Sequence, residues 1–189
     1  YDLDESEIRP YLQLENMIDA AFDTASRLFG LKFKELPDAP RYHPDVRVWE
    51  VTTKAGEPVG VFLGDYYARP TLLSIDDART LFHEFGHGLH GLLSDVTYPT
   101  LSGTNVSRDF VELPSQLYEH WLTRPEVLRK FATHFKTGKP MPESLMKRIQ
   151  ASRTFNQGFA TAEYVASALV DMDLHALDEA EGLDVGEFE

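Results

Sequence analysis

The stretch from Ser74 to Leu92 constrains this chain most, because it sets a His-Glu-x-x-His pattern inside a strongly helical run. Ala78, Leu81, Phe82, Phe85, Leu89 and Leu92 recur at the apolar spacing of a buried helix. Ser74, with Asp77 three residues on, makes a capping-box start. On such a helix His83 and His87 share one face, about 6 Å apart along the axis. Two imidazoles so placed can bind one Zn²⁺ at about 2.0–2.1 Å each. Glu84 lies about 100° further round, too far to be an easy ligand but able to reach a water held by the metal. The pattern thus supplies two ligands and one base, the arrangement of a metal-dependent peptidase. The plain alternative is a chance match, with both histidines exposed or hydrogen-bonded in a core. The apolar flanks argue against it, since a buried helix carrying these groups needs partners for them.

A catalytic zinc takes three protein ligands and leaves one position for water. His90 is a poor third ligand, because seven helical residues rise about 10.5 Å. The elongated motif with a third histidine needs Gly at position 90 and His at 93, where this chain has His90 and Leu93. His90 therefore reads as a packing residue or an outer contact of the site. Better candidates are Asp109, Glu112 and Glu119, which share one stripe of a helix expected from about Asp109 to Trp121. Such a stripe is ordinarily a solvated face, but the apolar residues around Asp109 and Glu112 predict burial. One acid can ligate while another accepts the free N–H of a ligating imidazole. These residues alone put Glu112 only marginally ahead of Asp109.

A chain of 189 residues suits one domain or a large piece of one, and a hydrophobic share of 42% supports a real core. The formal charge of −13 argues against nucleic acid and anionic membranes as partners. Without cysteine there is neither a disulfide framework nor a thiolate metal site, which fits a reducing compartment. No apolar run approaches a membrane span. The acidic start, Tyr1 to Glu5, is unlike a signal peptide. Both ends read as cuts through a longer protein.

The spacing predicts a helix from Glu5 to Leu28, with Pro10 in its first turns and Gly30 as its stop. Leu31 to Leu36 can form a short strand. Val46–Thr53 and Pro58–Asp65 read as a β-hairpin, with Val59, Val61 and Leu63 as the apolar positions of its second strand. Its edge could pair with an extended peptide, or the hairpin could simply pack. Ser94 to Arg108 reads as a loop past the mouth of the site. Pro114 predicts a kink in the helix behind Ser107. Pro125 opens another helix, to about Phe135. A long helical pattern follows from Pro142 to about Leu177, interrupted near Gly158. The expected fold is mainly α with a small antiparallel β-hairpin.

The blocks His83 to Leu92, Leu101 to Asn105, Arg108 to Gln116 and Glu119 to Trp121, with Tyr42 to Glu50 upstream, resemble the thimet oligopeptidase family of zinc metallopeptidases. Within that family the chain looks most like the bacterial peptidyl-dipeptidases, or dipeptidyl carboxypeptidases. The resemblance implies a zincin-like catalytic region, mostly helical, with a deep channel that admits short peptides, in a cytoplasmic protein. It implies one Zn²⁺ on His83, His87 and Glu112 and a general base at Glu84, so that a metal-held water cleaves peptide bonds and releases C-terminal dipeptides. Asp109 and His90 are the expected outer contacts. Two departures stand out. The family carries a Gly-rich insert between the counterparts of Arg69 and Pro70, which are adjacent here. Its transition-state donors, a histidine and tyrosines, belong to a segment downstream of Glu189. Residues 1–189 are thus expected to be part of one peptidase catalytic domain. The rival reading is a structural zinc domain, with His90 or His120 as a fourth ligand, or a fragment inactive alone.

Overall fold

The computed structural model describes residues 3–66, 70–178 and 186. Tyr67, the Arg69–Pro70 junction and the terminal Glu187 to Glu189 lie outside the described residues. The chain divides into two compact units, Asp2–Ile149 and a second from Gln150 onward.

In the first unit the expected N-terminal helix is two pieces. α1 (Glu5–Ile8) runs into a 3₁₀ turn at Arg9–Tyr11, and α2 (Leu14–Phe29) starts afresh. Pro10 explains the break, because it lacks an N–H and its ring crowds the preceding turn. α2 ends as expected at Gly30, whose φ of 72° suits glycine and whose N–H bonds the Ser26 carbonyl.

The β unit is larger than a hairpin. β1 (Leu31–Glu35), β2 (Val46–Thr53) and β3 (Pro58–Asp65) form an antiparallel sheet in that order. Phe33 faces Val51 and Glu35 faces Trp49 across the first pair, and Trp49 faces Phe62 across the second. The central strand buries Val46, Val48, Trp49 and Val51. On β3 the expected apolar positions Val61 and Leu63 are exposed. Phe62 turns inward instead, joining Phe22, Phe33, Trp49 and Phe85 in an aromatic cluster with ring centroids 4.3–6.0 Å apart. Gly60 makes room on that face, since a Cβ there would lie 2.8 Å from Leu92 Cδ2. The helix can therefore lie close against the strand.

That helix is α3 (Ile75–Leu92), and its capping box is complete. The Asp77 N–H donates to Ser74 Oγ at 2.9 Å, and the Ser74 N–H donates to Asp77 Oδ2 at 3.1 Å. Ala78, Leu81, Phe82, Phe85 and Leu89 are buried as their spacing predicts. The following loop folds back on the end of α3: the Gly103 N–H donates to Ser94 Oγ at 3.1 Å.

The helix expected over Asp109–Trp121 is also two, α4 (Arg108–Val111) and α5 (Leu113–Leu122), divided at Glu112. Pro114 cannot donate to the Phe110 carbonyl, so the ladder stops there and restarts. α5 turns Ser115, Tyr118 and Leu122 inward. Phe110, Leu113 and Leu117 fall on the other side and are exposed, so the expected apolar enclosure of the acids does not form. α6 (Pro125–Phe131) is shorter than expected, and α7 (Glu143–Ser152) contributes Leu145, Met146 and Ile149 to the core.

In the second unit α8 (Gln157–His175) follows a turn ending at Asn156, which has a φ of 56°. The interruption expected near Gly158 thus falls just ahead of it. No described helix is long and apolar enough to cross a membrane.

Candidate metal centre

Two helices build the site. α3 presents His83 and His87 one turn apart, with ring centroids 4.9 Å apart and planes 84° to each other. α5 brings Glu112 to them, because Glu112 occupies its N-cap on the same side as the inward-facing Ser115. Glu112 Oε2 lies 3.2 Å from His83 Nε2 and 3.1 Å from His87 Nε2. One potential ligand atom from each of the three residues lies within 4.8 Å of the others.

These distances suit a small divalent cation. Four ligands at about 2.0–2.1 Å in a tetrahedron sit about 3.3–3.4 Å from one another. The two edges at Glu112 come close to that length. Imidazole nitrogen and carboxylate oxygen are also the donor types such a cation takes. His83 and His87 are about a fifth exposed and Glu112 half exposed, so the vertex is open to solvent on one side.

The surroundings orient the donors unequally. Ser115, which is fully buried, donates its hydroxyl to Glu112 Oε2 at 2.9 Å. That bond, followed by the two imidazoles facing it, holds the Glu112 carboxyl below the usual carboxylate range. His83 Nδ1 lies 2.7 Å from Glu119 Oε1. His87 Nδ1 is buried and has no hydrogen-bond partner among the described residues.

Glu84 is exposed and, with Leu81 and Phe85, borders a cleft of about 170 Å³ whose other wall is the end of β3, from Phe62 to Asp65, with Tyr66 just beyond it. A carboxylate at the rim of a cleft can exchange protons with a molecule lying in it. Asp109 is exposed on α4, without a hydrogen bond to the three clustered residues. His90 meets the Phe110 ring at 6.1 Å, and its Nδ1 lacks a partner among the described residues. His120 bonds the Gln116 carbonyl of its own helix at 2.9 Å. None of these three stands in the group that could share an ion. A larger cavity, about 750 Å³, is lined by Leu28, Phe29, Leu89, His90, Leu117 and Trp121 among others, but by none of His83, His87 and Glu112.

Glu119 stood in the sequence among three candidate acids, without a choice between ligand and outer contact, and nothing there gave a role to Ser115 or Gly86. Glu119 follows Glu112 by seven residues, two helical turns, and that spacing was the available signal. For Gly86 and Ser115 the signal is weaker, because contact between two helices is invisible until both are placed.

Residues 1–71 and 68–188 match the family described as peptidase family M3. Dipeptidyl carboxypeptidase of Escherichia coli strain K12 is 41% identical over 229 positions, covering 100% of this chain and 34% of that protein. Oligopeptidase A of the same strain is 30% identical over 218 positions, covering 93% and 32%. Thimet-like oligopeptidase of Dictyostelium discoideum is 28% identical over 221 positions, covering 93% and 33%. The chain spans about a third of the length of the curated relatives it matches.

Proposed function

The chain belongs to peptidase family M3, and from that premise we propose that its whole protein hydrolyses short peptides with one zinc ion, releasing C-terminal dipeptides. The observation that carries this is the convergence of His83, His87 and Glu112 on one solvent-open vertex, one residue from an exposed Glu84. Dipeptide release draws its support from the 41% identical relative, a dipeptidyl carboxypeptidase.

His83 and His87 would hold the ion through Nε2 and Glu112 through Oε2. When bound, zinc supplies Lewis acidity, polarising a carbonyl and making water acidic enough to be deprotonated near neutrality. Glu84 accepts the proton of the attacking water and returns it to the leaving amine. Ser115 keeps the Glu112 carboxylate ionised and aimed at the histidines. The cleft along β3 lies beside Glu84 and is of a size to take a single substrate side chain.

The chain would form part of one catalytic domain in the cytoplasm, with a family segment missing between Arg69 and Pro70. The two family matches meet at residues 68–71, which supports that placement. An alignment of 229 positions against a chain of 189 residues also supports it, with a difference of 40. Donors to the transition state would come from outside this chain.

The test uses the full-length protein. Glu84→Gln should keep stoichiometric zinc by elemental analysis yet lose peptide hydrolysis. Product masses from free and C-terminally amidated peptides should show dipeptides from the free ones alone. Wild-type turnover in Glu84→Gln would remove the base from the scheme. Internal cleavage of both peptide sets would replace dipeptide release with oligopeptidase action.

A further inference from the structure

We propose that Glu119 is a positioning residue for the metal centre: it grips His83 from behind and aims that imidazole's Nε2 at the vertex. This rests on the zinc-site reading above. The two ring nitrogens of His83 have different neighbours. Nε2 faces Glu112 Oε2 at 3.2 Å, and Nδ1 faces Glu119 Oε1 at 2.7 Å. Of the two contacts only the one at Nδ1 has hydrogen-bond geometry, and a carboxylate accepts, so the proton belongs on Nδ1. That leaves the Nε2 lone pair for a metal ion. The 2.7 Å separation is that of a charge-assisted bond, which resists rotation of the ring better than a neutral one.

Glu119 is placed for this task and poorly placed to ligate. Its side chain is 24% exposed against 50% for Glu112, and it stands outside the group able to share an ion. It lies two turns beyond Glu112 on α5, so one helix supplies both a ligand and the support of another ligand. His87 has no equivalent support among the described residues, its Nδ1 being buried without a partner. The geometry of the histidine pair therefore depends on Glu119 more than it would with two supports. Supports of this kind change metal affinity by about 10–100-fold when removed.

The experiment measures zinc dissociation constants for the full-length protein by competition with a fluorescent chelator, and thermal unfolding of the metal-free form. Glu119→Gln, Glu119→Ala and Glu119→Asp are compared with wild type, and His83→Ala serves as the control for the site itself. Glu119→Gln and Glu119→Ala should weaken zinc binding by about 10–100-fold. Their metal-free midpoints should stay within about 2 °C of wild type. Glu119→Asp, which keeps the charge on a shorter arm, should recover part of the affinity. Wild-type affinity in Glu119→Gln and Glu119→Ala would overturn the inference and leave the zinc site standing. Affinity lost only in step with metal-free stability would overturn it too, because that marks a purely structural contact. If wild type and His83→Ala bind zinc equally poorly, the zinc-site reading fails and this inference falls with it.

Discussion

Replacing Gly86 with alanine tests whether the spacing of two helices sets the metal site. Gly86 lies inside the His-Glu-x-x-His motif and faces α5. A Cβ there would fall 2.7 Å from Ser115 Cα, 3.0 Å from Tyr118 Cβ and 3.2 Å from the Pro114 carbonyl oxygen. Carbon–carbon contacts relax at about 3.5–4.0 Å, so α3 and α5 must part by about 1 Å. Two of the three opposing atoms are backbone and cannot swing aside. Glu112 would move with α5 while His83 and His87 stay on α3. Its two contacts, 3.2 and 3.1 Å, would then lengthen to about 4 Å. A tetrahedral zinc needs about 3.3–3.4 Å between ligand atoms. Overpacking costs about 1–3 kcal/mol, and alanine returns about 1 kcal/mol of helix propensity. The net loss of about 0–2 kcal/mol lowers the unfolding midpoint by at most about 8 °C. The fold should therefore survive while zinc affinity drops by about tenfold or more. Chelator competition and thermal unfolding on the full-length protein read both quantities. Gly88→Ala is the matched control, because its Cβ meets only the Phe62 ring, at 3.1 Å, and that side chain can tilt. Unchanged zinc affinity in a folded Gly86→Ala protein would refute the argument that helix spacing governs the site.

Ser115→Ala removes the hydroxyl that donates to Glu112 Oε2, so zinc affinity should fall by up to about tenfold with the fold intact; full affinity would mean the hydroxyl serves only the Glu112 carbonyl, 3.0 Å away. Arg47→Met tests a bridge between α2 and β1. Arg47 donates to both Glu35 oxygens at 2.8 Å and to Glu15 at 2.7 Å, and holds the Glu35 carboxyl below its ordinary value of 4.5. A depressed acid contributes stability above its unfolded value and loses it as pH falls through the folded one. Denaturant melts should show Arg47→Met destabilised at pH 7, with the gap to wild type closing below about pH 4. A gap that persists into strong acid would trace the effect to Arg47 packing on Trp49, 4.9 Å from the ring centroid.

The local chemistry was legible in the sequence. Helical spacing and the Ser74–Asp77 box announced α3, and a spacing of four put both histidines on one face, because these signals depend on neighbours along the chain. Gly30 announced the end of α2 in the same way. The prolines were seen as disturbances, but a kink and a division remove the same hydrogen bond, so the sequence did not say that Pro10 and Pro114 would each divide a helix. The inward turn of Phe62 in place of Val61 and Leu63 was equally hidden, since strand alternation has two phases and α3 selected one of them.

The sequence by itself determined that two imidazoles and a neighbouring carboxylate would share a helix. Only the tertiary structure decided which acid of the later stripe meets them, since Asp109, Glu112 and Glu119 are alike as residues. Splitting α4 from α5 left Asp109 in solvent, turned Glu112 to the Nε2 atoms, and set Glu119 behind His83. The cause is a contact between segments about thirty residues apart, Gly86 against Ser115, which fixes the distance across which those side chains reach.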